Sequence, residues 1–143
     1  MTTDILNLTN EVRLLFHQLV ESGEALHEAE PITMGMRAVL EYLLDSGSST
    51  VPDIARNRHV TRQHIQVLVN DLIEHGAVEL ADNPAHKRSS LVALTRKGKQ
   101  TIQRMKVRED RFFAELGPAA SQTELRRAAK TLRLVREALG ETQ

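Results

Sequence analysis

Apolar residues early in the chain fall at Ile5, Leu8, Val12, Leu15, Leu19 and Leu26. Steps of three, four and seven place them on one face of a helix, at the spacing of a helix that packs along another helix. Ser22 interrupts the series, and Phe16 and Val20 widen it. A second helix is predicted to start near Thr33, a capping hydroxyl just after Pro31, with Met36, Val39, Leu40, Leu43 and Leu44 on its buried face. Ser46-Gly47-Ser48-Ser49-Thr50 stops it. Pro52 and Asp53 suit the first turn of a short third helix that ends near Arg58, Pro by its fixed φ and Asp by the helix dipole. Thr61 caps a fourth helix running to about His75, where Gly76 stops it. Alternation at Val78-Glu79-Leu80, the apolar run Leu91-Val92-Ala93-Leu94 and the turn residues Asn83-Pro84 between them predict a hairpin with a tip of six to eight residues. Thr95 caps a fifth helix reaching about Leu116, ended by Gly117-Pro118. The sixth, from about Ser121 to Leu139, carries a stripe of Leu125, Ala128, Leu132, Val135 and Leu139.

The two terminal segments thus carry long apolar seams flanking a central unit able to fill its own core. A seam needs a partner, so the end helices are expected to pack on each other and on a second copy of the chain. The fold class that follows is mainly α with a small β-hairpin wing. It is a winged helix-turn-helix whose N- and C-terminal helices form a dimerisation region. The expected boundaries are 1–32 for the N-terminal dimerisation helix, 33–98 for the winged helix-turn-helix and 99–143 for the C-terminal dimerisation helices.

The central segment from Asp53 to Leu68 has the residues a helix-turn-helix requires. Ala55 is the small residue that lets the second helix cross the first closely, and Ile54, Val60, Ile65 and Leu68 stand where they can lock the pair. The second helix is expected to bury Ile65, Leu68, Val69, Leu72 and Ile73. Its opposite arc then holds Gln63, Val67 and Asn70, flanked by His64 and Gln66. Amide side chains can bond adenine at two points, and a valine can meet a thymine methyl. That arc is polar yet almost uncharged, whereas a solvent-facing helix is usually dressed with Lys and Glu. Arg62 lies toward the flank, suited to phosphate, and Arg56 and Arg58 are further phosphate candidates. Thr61, at the N-terminus of the same helix, joins the DNA-facing set. At the hairpin tip, His86-Lys87-Arg88 offers two fixed charges to a minor groove, where the negative potential is strong.

Composition sharpens this reading. The 143 residues carry 19 Lys+Arg against 19 Asp+Glu, a net charge of zero that by itself argues against a nucleic-acid partner. The distribution reverses that. Residues 1–50 hold two basic and eight acidic side chains, whereas Asn83 to Arg108 hold eight Lys/Arg and no acid. Ile54 to Asn70 is also free of acids and carries Arg56, Arg58 and Arg62. Segregation of this kind points to an anion-binding face on a neutral body. Zero cysteines exclude a disulfide framework, a thiolate zinc site and a cysteine redox switch. Three Phe, one Tyr and no Trp leave little surface for stacking bases or flat cofactors. No apolar run approaches the roughly 18 residues of a membrane span, and the first residues lack the order of a signal peptide, so a cytoplasmic protein with no membrane partner is expected.

The segments Thr61-Arg62-Gln63-His64-Ile65-Gln66, Leu68-Val69-Asn70-Asp71-Leu72, Gly76-Ala77-Val78-Glu79 and Leu91-Val92-Ala93-Leu94-Thr95-Arg96-Lys97-Gly98 resemble those of MarR-type transcriptional regulators. The last is similar to that family's strand followed by a Leu-Thr-x-x-Gly helix start, and the likeness extends over essentially the full chain. The resemblance implies a homodimer with recognition helices in successive major grooves of a double-stranded DNA operator and wings in flanking minor grooves. It further implies repression relieved by a small organic effector bound between the dimerisation and DNA-binding parts. His17, Met34, Arg37 and Tyr42 are the polar or soft residues near that junction and become the pocket candidates. The chain departs from the pattern at three points. His59 replaces the usual turn glycine, and Arg58 an apolar residue. His86 stands where an Asp usually precedes the wing arginine, so no Asp orients Arg88.

His17, His27, His59, His64, His75 and His86 are scattered and show no paired spacing on one helix, so no metal is expected. No Ser-His-Asp order, nucleophile elbow or glycine-rich phosphate loop is present, so neither an enzyme nor a cofactor is expected. The neutral charge and acidic N-terminal third leave one alternative, a winged-helix module that binds a protein and not DNA.

Overall fold

Hydroxyl side chains start five of the six helices described here. In the computed structural model, which describes residues 1–141, the elements are α1 (Thr2–Leu26), α2 (Met34–Ser46), α3 (Val51–Arg58), α4 (Arg62–Glu74), β1 (Val78–Ala81), β2 (Leu91–Leu94), α5 (Arg96–Leu116) and α6 (Gln122–Gly140). Thr33 accepts from the Met36 amide at 3.2 Å, Thr61 from His64 at 3.1 Å and Thr95 from Gly98 at 3.0 Å. Each satisfies an amide that the first helical turn leaves without a partner. The cap of α3 is Thr50, which the sequence reading had placed in the preceding turn; it accepts from Asp53 at 3.3 Å. Ser121 and Glu124 cap α6 reciprocally, with the Ser121 amide 2.9 Å from the Glu124 carboxylate.

Two units divide the chain, Met1–Glu109 and a second from Asp110 onward. The first holds the core. Val39 and Leu40 of α2, Ile54 of α3, Ile65, Val69 and Leu72 of α4, Val92 of β2 and Ile102 of α5 are all essentially inaccessible. Leu44 lies at the edge of this cluster, half-buried. The buried arc of α4 is narrower than expected. Ile65, Val69 and Leu72 form it, Leu68 is half-buried and Ile73 is exposed. Ile73 sits about 80° round the helix from Ile65, beyond the arc that α2 and α3 cover. Val60 is likewise exposed; it locks the turn through its backbone, the amide bonding Ala55 O at 3.1 Å.

β1 and β2 pair antiparallel with Val78 opposite Leu94 and Ala81 opposite Leu91. The tip between them, residues 82–90, has nine residues, one more than the upper expectation. On its other edge β2 pairs with Ser49, whose amide donates to Val92 O at 3.1 Å and whose carbonyl accepts from Val92 N at 2.8 Å. At the foot of the hairpin Thr95 Oγ1 donates to Gly76 O at 2.6 Å, fixing the end of α4 to the start of α5.

Neither α1 nor α6 buries a side chain fully. On α1, Ile5, Val12, Leu15 and Leu19 of the seam are exposed, as are Leu125, Leu132 and Leu139 on α6. No helix is long and apolar enough to cross a membrane, among the described residues.

Between α3 and α4 the chain turns through His59, the one non-glycine residue with positive φ among the described residues (φ 55°, ψ 41°). A left-handed conformation costs a side-chain-bearing residue about 1–2 kcal/mol, and the extra freedom glycine gives the unfolded chain offsets about 0.4–1 kcal/mol of any relief. His59→Gly should therefore raise the urea midpoint by a net gain of about 0.5 kcal/mol; a loss of stability would show that the imidazole makes a compensating interaction.

Candidate nucleic-acid interface

The turn at His59 sets the entry into α4 by three bonds in succession. His59 N reaches Arg56 O at 3.4 Å, Val60 N reaches Ala55 O, and Thr61 O takes Ile65 N at 3.2 Å. Ala55, buried against α4, allows the close crossing. With Ile65, Val69 and Leu72 turned inward, Gln63, His64, Gln66, Val67 and Asn70 are left exposed on α4, Val67 at 54%. Gln66 Nε2 donates to Asn70 Oδ1 at 3.0 Å, which leaves the Asn70 amide as a donor and the Gln66 carbonyl as an acceptor. Arg62 and Thr61 are exposed at the start of the same helix, and no side chain of α4 takes part in an ion pair among the described residues. Amides can pair with adenine and an exposed valine can meet a thymine methyl, so this face offers groups able to contact base edges.

Arg58 is exposed at the end of α3, whereas Arg56 is drawn to Asp53 of its own helix at 3.1 Å. The wing tip is shaped by Asn83, whose Oδ1 accepts from Ala85 N at 3.1 Å and whose carbonyl accepts from His86 N at 3.2 Å. Lys87 and Arg88 follow, exposed and without an acidic partner among the described residues.

The basic run does not all belong to this surface. Arg104 holds Glu30 through Nε and Nη2 at 2.7 and 3.2 Å, Arg108 holds it at 3.1 Å, and Lys106 approaches Glu41 at 3.4 Å. Three of the eight cations between Asn83 and Arg108 are therefore consumed by the acid-rich N-terminal third. The anion-binding surface is correspondingly smaller than charge segregation implied.

The same pairing builds a network that the sequence reading missed. Glu109 of α5 accepts from both Nε and Nη2 of Arg37 and lies 3.0 Å from Nε2 of His27, which is only 4% exposed. Arg37 also donates to Glu41 at 2.8 Å. Burial raises the Glu109 carboxyl, but the hydrogen bonds from Arg37 and then His27 outweigh it and hold the group below the usual range. Glu41 behaves alike, raised by burial and lowered further by Arg37 and Lys106. For Glu30 the bond from Arg104 dominates and lowers it against the effect of burial. Apart from Arg37–Glu41, which is i,i+4 on α2, these contacts join residues 65 to 82 positions apart, so no local spacing announces them. The visible signal was coarser, acids early in the chain facing bases late in it.

Of the pocket candidates, Met34 and Arg37 line a cleft of about 340 Å³ together with Phe16, Val60 and Leu68. Arg58 and His64 line it too, so residues of the α3–α4 surface also wall the cleft. The other two candidates stand elsewhere. His17 is exposed on α1 with its ring edge-on to Phe16, because helical rotation turns it away, and Tyr42 is half-buried against the core. No group of three His, Asp or Glu able to hold a metal ion occurs among the described residues.

The sequence profile of the MarR family matches residues 37–89, from α2 to the wing tip. An uncharacterised protein of Mycobacterium tuberculosis, Rv2011c, is 35% identical over 126 residues, covering 85% of this chain and 87% of that protein. Among solved structures, a MarR family transcription regulator superposes with a TM-score of 0.83 at 24% identity over 99% of this chain and 93% of its own. Streptococcus pneumoniae FabT, solved in complex with DNA, superposes with a TM-score of 0.78 at 15% identity over 97% and 99%. With this profile match and these superpositions, the chain belongs to the MarR family of winged-helix transcription regulators.

Proposed function

We propose that the chain acts as a homodimeric, sequence-specific DNA-binding regulator, a ligand-responsive repressor of a palindromic operator. The observation that carries this is the outer face of α4, where Gln63, Val67 and Asn70 stand in solvent free of ion pairs while the opposite face is fixed in the core. Gln63, Val67, Asn70, His64 and Gln66 read bases in the major groove. Thr61, Arg62, Arg58 and Arg56 meet phosphates, Arg56 after release from Asp53. Lys87 and Arg88 enter the minor groove. The exposed apolar stripes of α1 and α6 supply the surface for a second copy, with residues 1–32 and 99–143 as dimerisation segments around the 33–98 DNA-binding part. The cleft at Met34 and Arg37 suits a small organic effector, since Arg58 and His64 in its wall belong to the DNA-facing set.

Selection of duplexes from a random pool at moderate salt tests this reading. A two-fold consensus with half-sites about one helical turn apart is expected. Replacing Lys87 and Arg88 by Ala should weaken every sequence and reduce the slope of log affinity against log salt by up to about 2. Gln63→Ala or Asn70→Ala should instead relax preference at one base pair by about 1–3 kcal/mol. Failure to retain any duplex, with capture of a protein partner, would favour the interaction-module alternative.

A further inference from the structure

A second cleft, of about 270 Å³, lies between residues 30–32, the end of α4 at His75 and one face of α5, where Lys97, Gln100 and Arg104 recur at helical spacing. Its charges do not cancel. Glu30 is the only carboxylate in the lining, and its oxygens already take three N–H donors from Arg104 and Arg108. Within the lining, two cations (Lys97 and Arg104) against that one anion leave a formal charge of +1, and Arg108, just outside it, also donates to Glu30. Arg104 spends Nε and Nη2 on Glu30, which leaves Nη1 to donate elsewhere. The Lys97 ammonium and the Gln100 amide have no side-chain partner among the described residues. The floor is apolar, formed by Ile32 and buried Ala77.

We propose that this cleft binds a small phosphorylated molecule, its phosphoryl group held by Lys97, Arg104 and Gln100 and its uncharged part resting on Ile32. A phosphate monoester carries about −1.5 to −2 at neutral pH and offers three acceptor oxygens, which matches the three free donor groups of Lys97, Gln100 and Arg104. A carboxylate offers two acceptor oxygens and leaves one of those three donor groups without a partner. The volume falls just under the roughly 300–1,000 Å³ of sites for drug-sized ligands, so the body is a single ring or a few carbons. The site bridges the C-terminal end of α4 to α5 and requires no DNA, so it stands whether or not the regulator reading holds.

Titration of the full-length, nitrogen-15-labelled chain with phenyl phosphate at constant ionic strength tests the proposal. Saturable shifts of the His75, Lys97, Gln100 and Thr101 amides are expected. Lys97→Gln should weaken binding about tenfold or more, the scale of one lost charge-assisted hydrogen bond. Benzoate, equal in ring size but singly charged, should bind at least tenfold more weakly. Inorganic phosphate moving the same amides supports the phosphoryl chemistry, and an affinity equal to that of phenyl phosphate would assign the site to free phosphate. Shifts confined to Met34, Val60 and Leu68, equal binding of benzoate, or an unchanged Lys97→Gln variant would each overturn it. So would a Lys97→Gln variant that loses duplex affinity in a chain that ignores phenyl phosphate, since the lysine would then serve the DNA backbone.

Discussion

Gly98→Ala is expected to cost the chain a large share of its stability at room temperature. A Cβ built on Gly98 would stand 1.8 Å from the carbonyl oxygen of Ala77 and 2.8 Å from its carbon. Both are backbone atoms, and neither can swing aside as a flexible side chain would. That carbonyl also accepts from Thr95 N at 3.1 Å, so retreating from the methyl breaks the bond that seats α5 beneath the hairpin. Ordinary overpacking costs about 1–3 kcal/mol; an immovable backbone contact at this distance belongs beyond that range, at about 4 kcal/mol or more. Set against a typical total stability of about 5–15 kcal/mol, this removes between about a quarter and most of it. Gly140→Ala is the control, because a Cβ there meets nothing within 4 Å. Urea unfolding followed by circular dichroism should show the control unchanged or slightly more stable. A Gly98→Ala chain with the parental midpoint would mean that α5 does not approach Ala77 as described.

Glu109→Gln should be the next most damaging change, at about 2 kcal/mol. Removing one partner of a buried ion pair costs about 3–5 kcal/mol, and the figure here is smaller because the Glu109 side chain keeps 20% of its surface exposed. The variant leaves Arg37 with Glu41 alone and sets a neutral amide against His27. Its pH dependence distinguishes this cause from simple loss of packing. The Glu109 carboxyl lies below its ordinary value of 4.5 in the folded chain. Its contribution is therefore fully present above that value and is lost as the pH falls through the depressed one. The gap between parent and variant should hold constant through neutral pH, narrow below about 4.5 and close in stronger acid. A gap that persists unchanged into acid would assign the loss to shape and not to charge.

The elements were legible because their signals are local. Thr33, Thr61, Thr95 and Ser121 mark helix starts, Gly76 and Gly117 mark stops, and the helix-turn-helix lies within sixteen consecutive residues from Asp53 to Leu68. Face assignment degraded toward the edges. Ile73 is as apolar as the residues that are buried, and only the width of the arc covered by neighbouring helices separates it from them, whereas Val60 lies in the turn before α4 and on no helix face. The surface of α4 was readable for the converse reason, since Gln63, Val67 and Asn70 follow from the phase of Ile65 and Val69. The ionic network was not. Glu30, Glu41 and Glu109 choose partners across the fold, and a composition count registers their charge without revealing that Arg104, Lys106 and Arg108 are already engaged. Of four pocket candidates taken from the junction of two segments, two line the cleft, because proximity along the chain does not settle which way a helix turns a side chain.

Ser49 makes β2 a middle strand, with hydrogen-bonded neighbours on both sides. The ladder is thus anchored independently of residues 82–90, and that loop is free to vary in length without shifting register. A foreign segment inserted between Asn83 and Ser90 would leave both pairings in place, which makes this loop the natural place for grafting. Over evolutionary time the same arrangement lets the hairpin acquire new reach by insertion or deletion, while the scaffold beneath it stays under separate constraint.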